Sequence, residues 1–242
     1  MAKLALITGG SRGLGAALCA HYAAQGFEVV EFSRSGKQPY SVKVDLTRPE
    51  AANAVFARTL QPLAARQFEE IVAINNAGVL DPIGPTSRKD IADVIANANA
   101  NYVSAIAFIT RVVDAFQGHA ARKRIGNISS GAALRGYAGW SLYCAAKAGI
   151  EHFVRSVAVE QQQEAQPFTL VNIGPGVIDT EMQATIRGAK ADDFPTVGRF
   201  LDLKANNALR RPEDVAAFVA AVLAGTPENG ARYDIADGVP SR

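Results

Sequence analysis

Short apolar runs alternate along this chain with longer stretches of helical periodicity. Lys3 to Thr8 (KLALIT) is an apolar run ending in glycines, as a buried strand does. Leu14, Leu18 and Tyr22 then recur at helical spacing, with Gly26 as a stop. Glu28 to Ser33 reads as a second strand and Ser41 to Val44 as a short third one before Asp45. Pro49 suits the first turn of a helix running to about Gln61. Ile71 to Ile74 is apolar on both faces, the mark of a central parallel strand. A long helical stretch follows from about Lys89 to Phe116, then a strand from Arg124 to Ser129 and a helix from Ser141 to about Gln163. Phe168 to Ile173 is a strand, Pro212 to about Ala224 a helix, and Ala231 to Ile235 a last strand. This alternation predicts βαβ units and one doubly wound α/β domain with a seven-stranded parallel sheet. Ligands in such folds bind beyond the carboxyl ends of the strands, so chemical residues are expected just after them.

Composition narrows the partners. The chain has 242 residues, enough for one large domain with a substantial core. The 25 Lys and Arg against 23 Asp and Glu give a net charge of +2, no electrostatic reason to expect nucleic acid or an anionic membrane. Cys19 and Cys144 make no disulfide framework, and His21, His119 and His152 form no metal spacing with them. No apolar run approaches the roughly 20 residues that span a bilayer, and the N-terminus lacks a secretory pattern. The expectation is a cytoplasmic protein without a metal.

After the first strand comes Thr8-Gly9-Gly10-Ser11-Arg12-Gly13-Leu14-Gly15. Glycines let backbone amides approach a pyrophosphate, and the helix beginning near Leu14 points its positive end at it. The spacing is not GxGxxG, and a plain strand-to-helix turn is the competing reading. The place of the loop between strand and helix favours a dinucleotide. The second strand ends Glu31-Phe32-Ser33-Arg34-Ser35. A carboxylate at that tip selects NAD and a cation selects NADP. Ser33 and Arg34 can bind a 2′-phosphate, with Arg12 adding a second charge. Glu31 argues for NAD, but strand alternation sets it short of the tip. The cofactor expected is NADP(H).

Tyr143 and Lys147 are four apart in a predicted helix and share a face. A phenol of pKa about 10 is a poor proton donor or acceptor at neutral pH. An ammonium about 4 Å away, at an effective dielectric near 20, is worth roughly 4 kcal/mol, or about three pKa units. The pair alone is common by chance. Around it stand Ser129-Ser130 at a strand end, Asn75-Asn76-Ala77-Gly78 after the central strand, Asn101, and Pro175-Gly176 with Thr180 beyond.

In this ordered set the chain resembles the short-chain dehydrogenase/reductase family, from Thr8 to about Thr180 and more weakly beyond. The resemblance implies Tyr143 as general acid, Lys147 lowering its pKa and binding the nicotinamide ribose, and Ser130 on the substrate carbonyl oxygen. Asn101 would hold a water linking Lys147 to solvent; Asn97 and Asn99 compete for that place, and Tyr102-Val103-Ser104 fits best after Asn101. Asn76, Ala77 and Gly78 would line the adenosine ribose and steady the sheet, and Asp45 with Leu46 would meet the adenine. Pro175, Gly176, Val177, Ile178 and Thr180 would hold the nicotinamide, through the Ile178 backbone and the Thr180 side chain. Ser129 should point away, and Cys144 reads as packing. Tyr137 and Trp140 border the expected substrate pocket, as packing or as an aromatic wall.

The implied activity is NADP-dependent reduction of a ketone or aldehyde, or the reverse oxidation. The segment 179–207 is similar in flavour to the branch containing sepiapterin reductase and benzil reductase, and should form a substrate lid of short helices. That branch suggests a diketone or a pteridine side-chain carbonyl. The alternatives are a 3-oxoacyl thioester, sugar or steroid ketone. A redox-sensing protein without turnover would typically have lost the tyrosine or lysine, and both are present. The long helices 89–116 and 141–163 suggest a homodimer or homotetramer packed helix to helix.

Overall fold

Leu4 and Leu6 of the first strand, β1 (Ala2–Thr8), pack on one side of a sheet, and Ala5 and Ile7 on the other. A strand's two-residue period produces this alternation, and both faces are apolar because helices cover both. In β4 (Phe68–Asn75), Ile71 and Ala73 face the first layer, and Val72 and Ile74 the second. The computed structural model describes residues 2–239. It joins β1 and β4 with β2 (Phe27–Ser33), β3 (Ser41–Lys43), β5 (Arg122–Ile128), β6 (Thr169–Gly174) and β7 (Arg232–Asp234) in one sheet. All neighbours are parallel, in the order β3-β2-β1-β4-β5-β6-β7. The expected seven-stranded doubly wound fold is the fold observed.

The helices are α1 (Gly13–Ala24), α2 (Pro49–Ala64), α3 (Ile91–Ala98), α4 (Ser104–Phe116), α5 (Ser141–Glu160), α6 (Glu181–Arg187), α7 (Val197–Ala205) and α8 (Pro212–Ala224). One layer, with α2, α4 and α5, centres on Phe32, Phe56 and Phe108. Their rings meet edge to face, with centroids 5.1 Å apart for Phe32–Phe56 and 5.4 Å for Phe56–Phe108. The other layer packs Leu18 and Tyr22 of α1 with Val219 and Leu223 of α8. A third cluster lies over the carboxyl ends of the strands. There Ile186, Phe194 and Phe200, from the segment 179–207, cover Leu80, Trp140 and Tyr143. The short helices expected in that segment are α6 and α7.

Most boundaries shift by one to three residues from the sequence reading, and one element is divided. The third strand stops at Lys43, and α2 runs on to Ala64 through Pro62. The stretch 89–116 is not one helix. Asp90 caps α3 by accepting from the Ala92 N–H at 2.7 Å, and a π-helical turn, Asn99–Val103, separates α3 from α4. The wider turn re-aims two side chains. Asn99 reaches the Thr47 carbonyl at 3.0 Å, and Asn101 reaches the Val79 backbone. Strand order reverses between β1 and β4, which opens a crevice beyond their carboxyl ends. Among the described residues no helix is long and apolar enough to cross a membrane, and no group of His, Cys, Asp and Glu could hold a metal ion.

Candidate active site

The floor of the crevice is stitched by side chains at the strand ends. Thr8 Oγ1 accepts from the backbone N–H groups of Asn76 and Ala77 at 3.0 and 3.1 Å. Asn76 Nδ2 donates back to the carbonyls of Thr8 and Gly9 at 3.0 and 3.2 Å. Asn76 thus ties the glycine loop to β4. Gly9 holds φ +71°, open to few other residues, and a Cβ on Gly15 would collide with the Gly9 carbonyl oxygen. No side chain caps the start of α1 at Arg12. Its first N–H groups therefore face a glycine-walled cradle, the form an anion site takes. The residues Gly9, Ser11, Gly13, Leu14 and Gly15 fit a pyrophosphate.

The neighbouring 2′-phosphate position is built differently from the expectation. Ser33 is buried and committed: its hydroxyl donates to Glu31 Oε1 at 3.1 Å and accepts the Gly36 N–H at 2.9 Å. Its proton is therefore directed at Glu31 and not at the phosphate position. Glu31 is 1 % exposed, yet its carboxylate reaches the end of the strand, contrary to the alternation argument, bonding Ser33 and lying against Gly36 just beyond it. Arg34 and Ser35 are exposed at the tip, and Ser35 Oγ lies 3.2 Å from Ser11 Oγ across the gap. Arg12 is not free either. It pairs with Glu181 of α6, joining the glycine loop to the covering segment. Both side chains are about two-thirds exposed, so the pair contributes only about 0–1 kcal/mol and can exchange partners. Asp45 Oδ1 accepts from the Thr47 backbone and hydroxyl at 3.0 and 2.8 Å, which holds its carboxyl below the usual range. The Leu46 carbonyl accepts from Ser104 Oγ at 2.7 Å.

Tyr143, Lys147 and Ser130 come together above β5. Ser130 faces the Tyr143 hydroxyl, and Lys147 Nζ lies 5.7 Å from the tyrosine ring centre. The Lys147 ammonium donates to the Ile128 carbonyl at 2.7 Å. Burial pushes the Tyr143 phenol up to about 12, and the Ser130 hydroxyl facing it only partly offsets this. Burial brings Lys147 down to about 8, against the opposing charge of Glu151. The lowering of the phenol expected from helical spacing is therefore reversed here. Desolvation of the phenolate outweighs an ammonium that is turned to a carbonyl.

Asn101 is the asparagine that reaches this group. Its Nδ2 donates to the Val79 carbonyl at 2.8 Å and to Asn97 Oδ1 at 3.0 Å, and its Oδ1 accepts from the Val79 N–H at 2.8 Å. A Cβ placed on Gly78 would sit 3.6 Å from Asn101 Oδ1 and 3.8 Å from Lys147 Nζ, so both atoms border one gap. Asn97 instead binds the Asp81 carbonyl at 2.7 Å. Past β6, Thr180 packs its methyl group toward Gly13. An isolated bridge with Arg210 engages Val177 and Asp179 and leaves the Ile178 N–H and C=O out of it. Pro175 and Gly176 make the bend that brings this segment over the crevice.

Aromatic rings close the front. Trp140 stacks on Phe194 at 4.4 Å and 11°, and lies 5.5 Å from Phe200, 5.2 Å from Tyr137 and 5.9 Å from Tyr143. The Trp140 Nε1–H is buried without an acceptor. Cys144 packs beside this cluster, as expected. Arg88 bonds Asp193 Oδ1 at 2.8 Å and the Asp192 carbonyl at 3.3 Å, fastening the covering segment. Phe194 and Phe200 stand in the covering segment, whose apolar residues the sequence sets over a cleft, but sequence reasoning missed their packing on Trp140. It also missed an amide ladder: Asn75 donates to Asn127 at 2.9 Å, and Asn127 to Asn172 at 2.8 Å. Asparagines near the ends of three successive strands were the available signal.

This arrangement has known counterparts. Residues 3–191 match the family model described as short chain dehydrogenase. Benzil reductase ((S)-benzoin forming) of Bacillus subtilis is 34% identical over 238 residues, 96% of this chain and 98% of that protein. The crystal structure of the KRED1-Pglu enzyme superposes with a TM-score of 0.80 at 28% identity, covering 96% of this chain and 100% of that one. A short chain dehydrogenase from Burkholderia cenocepacia, crystallised in complex with NADP, gives a TM-score of 0.72 at 24% identity over 96% of this chain and 95% of its own. With the match spanning most of the chain, and with serine, tyrosine and lysine gathered at the crevice, this chain belongs to the short chain dehydrogenase family of oxidoreductases.

Proposed function

We propose that the protein is an NADPH-dependent carbonyl reductase whose substrates are aromatic 1,2-diketones. The observation that carries the reading is the apposition of Ser130 and Tyr143, with Lys147 beside them, next to the Trp140–Phe194 wall. NADPH, when bound, supplies the hydride that reduces the carbonyl carbon. The glycine loop and the start of α1 would hold its pyrophosphate, and Arg34, Ser11 and Ser35, with Arg12, its 2′-phosphate. Asp45, Leu46 and Asn76 to Gly78 would take the adenosine, and Pro175 to Thr180 with Lys147 the nicotinamide side.

Tyr143, kept fully protonated at neutral pH by burial, gives its proton to the carbonyl oxygen. Ser130 donates a hydrogen bond to the same oxygen. Lys147 stabilises the tyrosinate left behind, and Asn101 Oδ1, which retains a lone pair, holds the water that returns the proton. The buried N–H of Trp140 distinguishes a diketone from a simple ketone. An unpaired buried donor costs about 1–3 kcal/mol. A second carbonyl oxygen next to the reacting one would accept it, while aryl rings would stack among Trp140, Tyr137 and Phe200. The relative named benzil reductase supports the same class. We also propose a homodimer or homotetramer. Ile91 and Ile95 on α3 are 69% and 53% exposed, one turn apart, with Tyr102 and Val103 exposed beyond them, an apolar stripe that a second copy would cover. The protein is proposed to work in the cytoplasm.

Oxidation of NADPH by benzil, in the presence of the protein, tests the activity; no turnover with any aryl ketone, aldehyde or diketone would refute it. Tyr143→Phe should lower kcat at least about a hundredfold, the scale of general acid catalysis, while NADPH binding by fluorescence stays within a few fold. Activity near the parent's would take the proton-donor role from Tyr143. Trp140→Phe keeps one aromatic ring and removes the N–H together with part of the indole, a loss of packing that both substrates share. It should lower kcat/KM for benzil by about tenfold and leave the monoketone benzyl phenyl ketone within threefold, roughly the net value of one hydrogen bond. Equal losses for both substrates would remove the second-carbonyl role. NADPH should be preferred over NADH by at least about tenfold in kcat/KM, and Arg34→Ala should abolish most of that preference by weakening NADPH alone. A parallel loss with both coenzymes would move the phosphate elsewhere. Sedimentation at micromolar concentration should give a dimer or tetramer mass, and a monomer would end the assembly proposal.

A further inference from the structure

Behind the Ser130–Tyr143 pair lies a buried set of charges that the proposed reduction does not use. Glu151 is 2 % exposed and stands one turn beyond Lys147 on α5, so that Tyr143, Lys147 and Glu151 share a helix face. Its Oε1 accepts from the Ser129 hydroxyl and from Arg232 Nη1. Its Oε2 accepts from Arg155 at 3.0 Å. Arg232 comes from β7, the edge strand, 81 residues away in sequence. It forks onto Asp234 at 2.7 and 2.8 Å. It also donates to Ser129 Oγ at 3.1 Å and reaches the Ser130 carbonyl at 3.4 Å. Asn172 donates to the Glu151 carbonyl at 3.3 Å and ends the amide ladder of the strand tips on this same turn of α5.

The side chain of Ser129 and the main chain of Ser130 are thus gripped from two elements that are distant in sequence. A buried ion pair is a weak source of stability, because desolvation cancels much of its attraction. It is a strong source of position, because each charge must keep all its partners. Lys147 sees the charges of this set from the other side. Around its ammonium are Tyr143 and Glu151 on its own helix, the Ile128 carbonyl on β5, and Asn101 across Gly78. Beyond Glu151 lie Arg232, Arg155 and Asp234.

We propose that Glu151 and Arg232 are positioning residues: together they clamp the Ser129–Ser130 bend so that the Ser130 hydroxyl meets Tyr143, and the Glu151 charge keeps Lys147 an ammonium. The proposal rests on the reductase reading given above. Its sign is fixed by charge. Lys147, brought to about 8 by burial, carries its proton below that pH and loses it above. Removing the negative charge of Glu151 lowers the pH at which the proton leaves. Removing the positive charge of Arg232 raises it.

The experiment is the pH profile of kcat for benzil reduction at saturating NADPH, with KM for both substrates and thermal unfolding measured alongside. Glu151→Gln keeps an acceptor for Ser129 and removes the charge. Its alkaline limb should move down by about one pH unit. Arg232→Met removes the grip on both serines. Its plateau kcat should fall about ten- to hundredfold, the scale of a misplaced catalytic group, with KM for NADPH little changed and the limb moved up. Arg232→Lys keeps the charge without the fork, so it should restore the limb to its parent position but not the plateau. Should either charge variant fail to fold, Ser129→Ala removes the two bonds of that hydroxyl, to Glu151 and from Arg232, and leaves every charge. It should lower kcat several fold with the limb unmoved. Limbs that stay in place, or move the same way in both charge variants, overturn the electrostatic part. A full plateau kcat in Arg232→Met or Ser129→Ala overturns the clamp. A parent protein without turnover overturns the reductase reading itself, whereas turnover with unmoved profiles overturns only this inference.

Discussion

Across the seam between β1 and β4, Asn76 and Ala77 donate hydrogen bonds to Thr8 and Gly9 that hold two loops at a fixed separation. The seam is where strand order reverses, so the connecting chains leave it in opposite directions and open a crevice. The glycine loop forms one lip and residues 76–79 the other. Asn101 fixes the second lip by bonding both backbone groups of Val79, and it can do so because the π turn rotates it inward. The cradle for an anion, the gap at Gly78 and the approach to Lys147 all follow from this one separation. A loss of the Thr8 hydroxyl would leave two backbone N–H groups unpaired at once.

Burial then sets the chemistry by acting on two groups in opposite directions. It raises the phenol of Tyr143 to about 12 and lowers the ammonium of Lys147 to about 8. Each shift favours the neutral form, as desolvation requires. The consequences differ. A phenol held protonated keeps its proton but is a weaker acid, so a tyrosinate formed from it needs a positive charge beside it, and a lysine near 8 sits close to losing that charge. The donor therefore needs no further assistance to stay loaded. The lysine does, and Glu151 is the opposing charge within reach.

What the sequence made legible depended on contacts that are local in the chain or common to every parallel sheet. The strands, the glycine loop and the shared face of Tyr143 and Lys147 are of that kind, because each is written in spacings of two to four residues. Asn101 was identified by its neighbours, yet the helix around it was drawn unbroken. A π turn leaves no mark in the apolar periodicity. Ser33 was misread because its hydroxyl looks free in the sequence, and only the fold shows it bridging Glu31 and Gly36. Arg12 was likewise read without its partner Glu181, which arrives from the far side of the crevice. The Trp140–Phe194 stack and the Glu151–Arg232 pair join residues 54 and 81 positions apart. Nothing in a periodic pattern specifies such distances.

Tyr143 stands at the boundary between two unlike environments, and its usefulness comes from having both. In front, Trp140, Phe194 and Phe200 exclude water and offer flat apolar surface. Behind, Ser129, Glu151, Arg232 and Asn172 form a polar set joined bond to bond. An apolar wall alone would hold a carbonyl substrate and give its developing oxyanion nothing. A polar network alone would admit water and screen every charge in it. Set on either side of one ring, the wall raises the cost of separating charge, and the network fixes the few groups that can meet that cost. Electrostatic interactions gain strength in a site that is dry on one side and rigid on the other, because no solvent has to reorient when the proton moves. The covering segment 179–207 shapes this site as much as the serine and tyrosine do, since Phe194 and Phe200 supply the dry side.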